Sequence, residues 1–139
     1  DKLEPAIERR SNPETSVISV HNQPAVHHQV LPGDAARHHA ISACLASLAF
    51  VKTVAAINEQ RKSQGLDPWG MRVGLHSGPV MAGVVGKNKF SYDIWGDTVN
   101  TSARFEQACE EGRINISEAT HHRVKAYFEC TPRGEIEAK

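Results

Sequence analysis

A carboxylate, a carboxamide and a guanidinium lie close together in the stretch 91–104, SYDIWGDTVNTSAR. Asp93 is predicted near the end of a strand, and Asp97 is predicted to cap the helix that follows. Asn100 and Arg104 are four residues apart, so they project from the same face of that helix. A carboxylate suits an exocyclic amine, an amide can orient a sugar oxygen, and arginine suits a charged phosphoryl group. An Asn/Arg pair at this spacing is also common on a solvated helix face.

Other motifs that could carry chemistry fail on their spacing. Gly86-Lys87 has Met81 at the position of the first glycine of a phosphate loop and Asn88 in place of its Ser or Thr. No G-x-G-x-x-G opens a helix, so a dinucleotide fingerprint is also missing. The eight histidines include three adjacent pairs, whose members point about 100° apart on a helix and favour solvated surface over a metal site. The three cysteines form no CxxC pair and are predicted to be reduced thiols.

The elements around this stretch predict an α+β fold, with helices packed on one face of a mixed sheet. Strands are predicted at 15–20, weakly at 25–31, and at 71–75, 79–85, 90–95 and 113–116. Helices are predicted from Asp34 to about 63, from Asp97 to about Cys109, and from Ser117 to about 126. A closing hairpin is predicted for 127–138, turning at Pro132-Arg133-Gly134.

The long helix after Asp34 is apolar on two sides. Ile41, Cys44 and Leu48 belong to a stripe that continues through Val51, while Phe50 lies on the opposite side. A helix of this kind is either deeply buried or shared between a core and a partner. In a domain this small we favour a partner.

Composition excludes several classes of partner. The chain has 139 residues, 40% of them hydrophobic, and its 16 basic and 16 acidic residues give a formal net charge of zero. It therefore lacks the basic excess of nucleic-acid-binding proteins and any charge bias towards a membrane surface. No stretch reaches the ~18 consecutive apolar residues of a membrane span. The start, DKLEPAIERR, lacks an apolar signal region, so we expect a cytoplasmic piece of a longer parent, and a membrane-anchored parent is compatible with this.

Four runs carry a specific family resemblance. The sequence MRVGLHSGPVMAGVVGKNKFSYDIWGDTVNTSARFE resembles the catalytic domain of class III nucleotidyl cyclases, and GRINISEAT and RGEIEAK continue the likeness towards the C-terminus. DAARHHAISACLASLAFVKTVAAIN resembles the family helix that precedes this stretch. The resemblance covers about residues 33–139, which we assign to a partial catalytic domain. Residues 1–32 are assigned to an atypical, partly irregular N-terminal segment. The family fold is a ferredoxin-like sheet that works as a head-to-tail dimer with active sites at the interface.

The resemblance implies a role for each matching residue. Asp93 matches the residue that reads the adenine amino group, and Ile94 matches a lining residue of the purine pocket. Asn100 matches the residue that positions the ribose, and Arg104 the one that stabilises the α-phosphate. Lys139 matches the lysine that holds the terminal phosphates. The implied reaction is ATP to cyclic AMP and pyrophosphate with Mg²⁺ or Mn²⁺, in cyclic-nucleotide signalling, with a second cyclase domain as homodimer or heterodimer partner.

The departures from the family pattern concern the metal site. The family carries its metal ions on two aspartates, and no Asp stands between Asp1 and Asp34. There is also no Lys between Lys2 and Lys52, where the family places a purine-reading lysine. No metal ligand is therefore recognised, and the chain alone is predicted to be inactive. The alternative is a catalytically incomplete cyclase-homology domain that binds nucleotide or a partner half and regulates it.

Overall fold

The computed structural model describes residues 16–22, 35–86 and 91–136. Along the chain its elements are β1 (Ser16–Asn22), α1 (Ala35–Ser63), β2 (Val73–Leu75), β3 (Met81–Val85), β4 (Ser91–Trp95), α2 (Asp97–Gln107), β5 (Ile114–Ser117), α3 (Glu118–Val124) and β6 (Glu129–Glu135). The order confirms most predicted elements to within two residues. The weak strand at 25–31 and most of the loop at 86–89 lie outside the described residues.

Four of the strands form one mixed sheet in the order β2-β5-β1-β6. β2 and β5 run parallel, with Gly74 opposite Asn115, whereas β1 is antiparallel to both of its neighbours. β3 and β4 form a separate antiparallel hairpin. The mixed α+β fold predicted from the sequence is confirmed.

The main core lies on the sheet face to which β5 contributes Ile114 and Ile116. Both isoleucines are at most 1% exposed and pack in one cluster with Ile41 and Cys44 of α1 and Val124 of α3. Alternation along a strand sends the intervening side chain to the other face. α1 and α3 therefore cover one face of the sheet.

α2 lies against the opposite face, which differs from the expected single layer of helices. The side chain of Asn115, between the two core isoleucines, donates to the carbonyl oxygen of Phe105 in α2 at 3.2 Å. A Cβ on Gly74, the register partner of Asn115, would lie 2.5 Å from the carbonyl oxygen of Ser102. A glycine in β2 thus lets the α2 backbone approach the sheet closely.

β1 belongs to the N-terminal segment of the sequence-based division, and it is an inner strand of the main sheet, between β5 and β6. Ile18 and Val20 of this strand are buried in the main core. The boundary between residues 32 and 33 stays a prediction. The main sheet therefore includes a strand from residues 1–32.

The predicted closing hairpin is wrong. Residues 129–135 form one strand along β1, and its register skips Arg133 between Pro132 and Gly134. Gly134 has a φ of +106°, a value that glycine tolerates. A bulge thus absorbs the Pro-Arg-Gly sequence that would otherwise indicate a turn.

α1 is buried mainly in its N-terminal half. Its buried residues are Ala40, Ile41, Cys44 and Ser47, whereas Phe50 is 62% exposed. The partner predicted for its second apolar side stays a prediction. By length and average composition α1 is also apolar enough to cross a bilayer, although it has no long uninterrupted apolar run. Ile41 and Cys44, in its N-terminal half, pack in the domain core.

Candidate functional site

Asp93 stands in the middle of an exposed strand. In the β3–β4 hairpin it lies opposite Gly83, and its side chain is open to solvent. One carboxylate oxygen accepts a hydrogen bond from the amide N–H of Ile94 at 2.8 Å. Within the described part of the chain, the second carboxylate oxygen of Asp93 has no hydrogen-bond donor.

The hairpin that carries Asp93 is unusually apolar on its surface. Ile94, predicted to line a purine pocket, is 50% exposed and lies opposite Ala82. The other large apolar side chains exposed on this hairpin are Met81, Val84, Val85, Tyr92 and Trp95. The strand register divides these side chains between the two faces of the hairpin, and exposed apolar side chains grouped on one element favour an interaction site. The predicted base-reading strand is therefore open to a ligand or to a second domain.

The turn into α2 uses glycine rather than a capping side chain. Gly96 is the N-cap residue with a φ of +130°, and no side chain caps the helix. Asp97 was predicted as the cap, and it is instead the first helical residue. Its carboxylate lies in the first turn, where the helix dipole favours negative charge. The N-cap therefore lies one residue before the predicted position, at a glycine whose positive φ other residues rarely adopt.

Asn100 and Arg104 lie on the face of α2 that points away from the sheet. Phe105 is fully buried on the sheet side, whereas Asn100 is exposed and Arg104 is half-buried. Among the described residues, neither side chain has a hydrogen-bond or ion-pair partner. The structure thus confirms that both project from one helical face, with donors available to a ligand.

Asp93 and the Asn100/Arg104 pair flank the same strand-to-helix turn but lie on an open surface. Two cavities formed by described residues, of about 480 and 240 Å³, are lined by other side chains. Neither of these two cavities encloses a ligand between Asp93 and the Asn100/Arg104 pair. Lys139 lies outside the described residues, so its predicted role is not placed.

The residues present do not fit a divalent metal ion. Within 16–22, 35–86 and 91–136, no three His, Cys, Asp or Glu side chains come together. Mg²⁺ and similar hard cations need several oxygen ligands, and Asp93 already accepts from a backbone amide. We therefore derive no catalytic step through a metal ion held by these residues.

Sequence reasoning missed a polar cluster behind α2. His76 Nδ1 lies 2.8 Å from Ser117 Oγ, and Ser77 Oγ lies 2.9 Å from Thr120 Oγ1. Ser117 also caps α3 as predicted, accepting from the Thr120 amide. The His76 ring stacks parallel to the Phe105 ring at 6.4 Å between centroids. The sequence did show a histidine and a serine, His76 and Ser77, directly after an apolar strand. That position alone was compatible with either a structural or a site-lining role for His76.

A family model described as "Adenylate and Guanylate cyclase catalytic domain" matches residues 20–139. The chain belongs to this family. The match begins within β1 and so includes part of the segment that the sequence motifs alone did not reach. The nucleotidyl cyclase family is generally dependent on divalent metal ions, for which the described part of this cyclase domain shows no ligand set.

Curated relatives include cyclases of both specificities. An adenylate cyclase of Mycobacterium tuberculosis is 39% identical over 90 residues, which are 65% of this chain and 20% of that protein. A membrane guanylyl cyclase of Dictyostelium discoideum is 41% identical over 69 residues, covering 50% of this chain and 5% of that protein. The cyclase domain therefore spans a fifth or less of the length of these two relatives.

Solved structures show the same fold. The adenylyl cyclase CyaB of P. aeruginosa superposes with a TM-score of 0.63 at 22% identity, covering 76% of this chain and 63% of the other. The guanylate cyclase domain of RhGC from Catenaria anguillulae, in complex with GTP, gives 0.58 at 23% identity, covering 86% and 74%. A rhodopsin-guanylyl cyclase core with converted specificity, in complex with ATPαS, gives 0.55 at 30% identity, covering 78% and 58%.

Proposed function

We propose that this cyclase domain takes part in converting ATP to 3′,5′-cyclic AMP and pyrophosphate for cyclic-nucleotide signalling. One observation carries the proposal: Asp93 on β4 and Asn100 and Arg104 on α2 present an acceptor, an amide and a cation around one glycine turn. All three belong to the stretch in which the chain most closely follows the cyclase motif.

The base preference rests on Asp93. An ionised carboxylate only accepts hydrogen bonds, so it suits the exocyclic amine of adenine and disfavours the carbonyl oxygen of guanine at the same place. One of its oxygens is held by the Ile94 amide, which fixes the direction of the carboxylate. A relative named as an adenylate cyclase, at 39% identity, supports the choice of adenine. A guanylyl cyclase of similar identity also matches, so the preference for adenine is proposed on the chemistry of Asp93.

Asn100 and Arg104 act on the sugar and the phosphate in this proposal. The ribose 3′-oxygen attacks the α-phosphorus and its proton passes to solvent water. The new O3′–P bond forms, and the bond from the α-phosphorus to the leaving pyrophosphate oxygen breaks. The amide of Asn100 orients the ribose, which places the attacking oxygen in line. The guanidinium of Arg104, with no anionic partner among the described residues, stabilises the charge that develops on the α-phosphate.

A second cyclase domain completes the site in this proposal, as either a homodimer or a heterodimer partner. Neither cavity described above reaches these three residues, and the β3–β4 hairpin exposes the apolar side chains described above. The domain alone is proposed to be inactive, since the described residues offer no metal site. A cytoplasmic location, where ATP is available, completes the proposal.

The same missing metal site favours a second candidate, a regulatory cyclase-homology domain that binds nucleotide or a partner half without turnover. Calorimetry with ATP and a product assay separate the two. The chain is mixed with a cyclase domain that carries both metal-binding aspartates. Cyclic AMP formed only in the mixture supports the enzyme, whereas ATP binding without any cyclic product supports the regulator.

A further inference from the structure

We propose that the cavity between the N-terminal half of α1, the loop after β2 and α3 binds a small organic oxyanion: a carboxylate or phosphate group on an apolar body. The cavity has a volume of about 480 Å³. This falls within the range of small-molecule sites. It is not lined by Asp93, Asn100 or Arg104, so it is separate from the proposed nucleotide surface.

Arg123 gives the cavity its charge preference. This half-buried arginine lines one side and donates from Nη1 to the carbonyl oxygen of Ala119. No carboxylate lies within ion-pairing distance of it in the described part of the chain, and the cavity lining contains no Asp or Glu. Its further N–H donors suit a planar oxyanion. A cation would meet the positive charge of Arg123 with no carboxylate in the lining to offset it.

An ordered row of hydroxyl groups lies on the same polar side. Ser77 Oγ is 2.9 Å from Thr120 Oγ1, which is in turn 3.2 Å from Ser117 Oγ. Ser77 and Thr120 both line the cavity. A hydroxyl hydrogen can rotate towards an anion. Because the oxygens are already held in place, binding costs little side-chain entropy.

An apolar part of the lining sets the second half of the ligand chemistry. Ala43 of α1, Leu75 at the end of β2 and Val80 form it, and the lining also includes the polar side chains of His39, His76 and Thr98. Val80 is 49% exposed and stands at the rim. A bare inorganic anion would leave this wall in contact with water, whereas a ligand with an apolar body covers it. The two walls together select an amphiphilic anion.

The experiment titrates the full chain with three probes of matched size or charge: benzoate, inorganic phosphate and benzylammonium. Heteronuclear NMR follows the amides of Ser77, Thr98 and Thr120. Benzoate is expected to shift these signals. Phosphate is expected to bind at least about tenfold more weakly than benzoate, and benzylammonium to have no effect. Phosphate binding as tight as benzoate would overturn the role of the apolar wall. Equal binding of benzylammonium, or no shift with benzoate at about 10 mM, would overturn the site.

Two variants test the assigned side chains. Arg123→Gln is expected to weaken benzoate about tenfold or more, because it removes a charge-assisted hydrogen bond. Arg113→Gln, in an exposed arginine far from the lining, is the matched control and should leave the affinity unchanged. If Arg123→Gln fails to fold, Val80→Glu places a like charge at the exposed rim and should abolish benzoate binding. Unchanged benzoate affinity in either cavity variant contradicts the proposal. None of these readouts depends on cyclase activity.

Discussion

The buried side chain of Asn115 donates a hydrogen bond to the carbonyl oxygen of Phe105, the residue that follows Arg104 in α2. The side-chain oxygen Oδ1 of Asn115 in turn accepts from Arg133 Nη1 at 3.3 Å, and Arg133 is also paired with Glu110. A fully buried amide in β5 is thus tied to both the helix of the candidate site and the bulge of β6. The bulge, found where a turn was predicted, places Arg133 within hydrogen-bond distance of the Asn115 side chain.

Replacing Asn115 by alanine should lower the free energy of unfolding more than a substitution at an exposed residue of the candidate site does. The substitution leaves the Phe105 carbonyl and the Arg133 donor without the amide, and we expect a loss of about 1–3 kcal/mol in the free energy of unfolding. Urea denaturation measures it. Asn100→Ala, at an exposed amide on α2, is the control and should change stability by less than about 0.5 kcal/mol. Equal effects of the two variants would contradict the role given to Asn115.

Gly74 should be irreplaceable for a reason of space. A Cβ there would overlap the backbone of Ser102 and Glu106 in α2, so Gly74→Ala must push the helix away from the sheet. We expect a loss of at least about 3 kcal/mol, measured by thermal or urea unfolding. At Gly70 an added Cβ meets only the flexible end of Glu111, so Gly70→Ala should cost less than about 1 kcal/mol. A mild effect at Gly74 would place α2 elsewhere.

The Cys44 thiol should be inert in the folded protein. Burial, with a smaller contribution from Cys130, raises the pKa of Cys44 from its ordinary value of 9.0 to about 12. Because the thiolate is the reactive form, iodoacetamide at about pH 8.5 should label Cys44 only after denaturation. Mass spectrometry reads the labelled site. Rapid labelling of the native chain at Cys44 would show that the thiol is not buried against the sheet.

The same shift predicts how stability depends on alkaline pH. A folded-state pKa above the unfolded value means that the stabilising contribution of Cys44 is present below pH 9 and is lost as the pH rises towards about 12. The free energy of unfolding of the native sequence should therefore fall more steeply over this window than that of Cys44→Ala. Parallel curves for the two proteins would contradict the shift.

Much of this architecture could be predicted from periodicity and local signals. Ser117 was predicted to cap α3 and does, and the apolar stripe through Ile41, Cys44 and Leu48 faces the core. The placement of α2 on the opposite face depends on Gly74, whose importance lies in a distant helix backbone. Neither this contact nor the bulge at Arg133 has a local signature, because each depends on a partner far away in the chain.

The candidate site was predicted in part, on the same grounds. The i,i+4 spacing correctly put Asn100 and Arg104 on one exposed face, since helix geometry alone determines it. The N-cap is Gly96 rather than Asp97, because Asp97 is already the first residue of the helix. Enclosure of a ligand could not be read from one chain, because it depends on what covers the open surface between β4 and α2.

The base preference should move with one substitution. Asp93→Cys replaces an anionic acceptor with a neutral thiol, so preference for ATP over GTP should fall by about tenfold or more, since each lost charge-assisted hydrogen bond is worth about 1.5–3 kcal/mol. Product assays of the chain mixed with a metal-bearing cyclase domain, run with each nucleotide, give the ratio. Asp97→Cys, in the first turn of α2, serves as the control. A ratio unaffected by Asp93→Cys would remove Asp93 from base recognition.

The central claim is tested most directly by the rate of cyclic AMP formation in that mixture, with Arg104→Ala compared with Arg72→Ala. Arg72 forms a solvent-exposed ion pair with Glu106, which lies on a different face of α2 from Arg104. Loss of the Arg72 side chain should therefore alter the rate little. Loss of Arg104 should lower kcat by about 100- to 1,000-fold, because it removes a cation aimed at the transition-state charge. If both variants turn over like the native chain, or the native mixture makes no cyclic AMP at all, the proposed catalytic surface is contradicted.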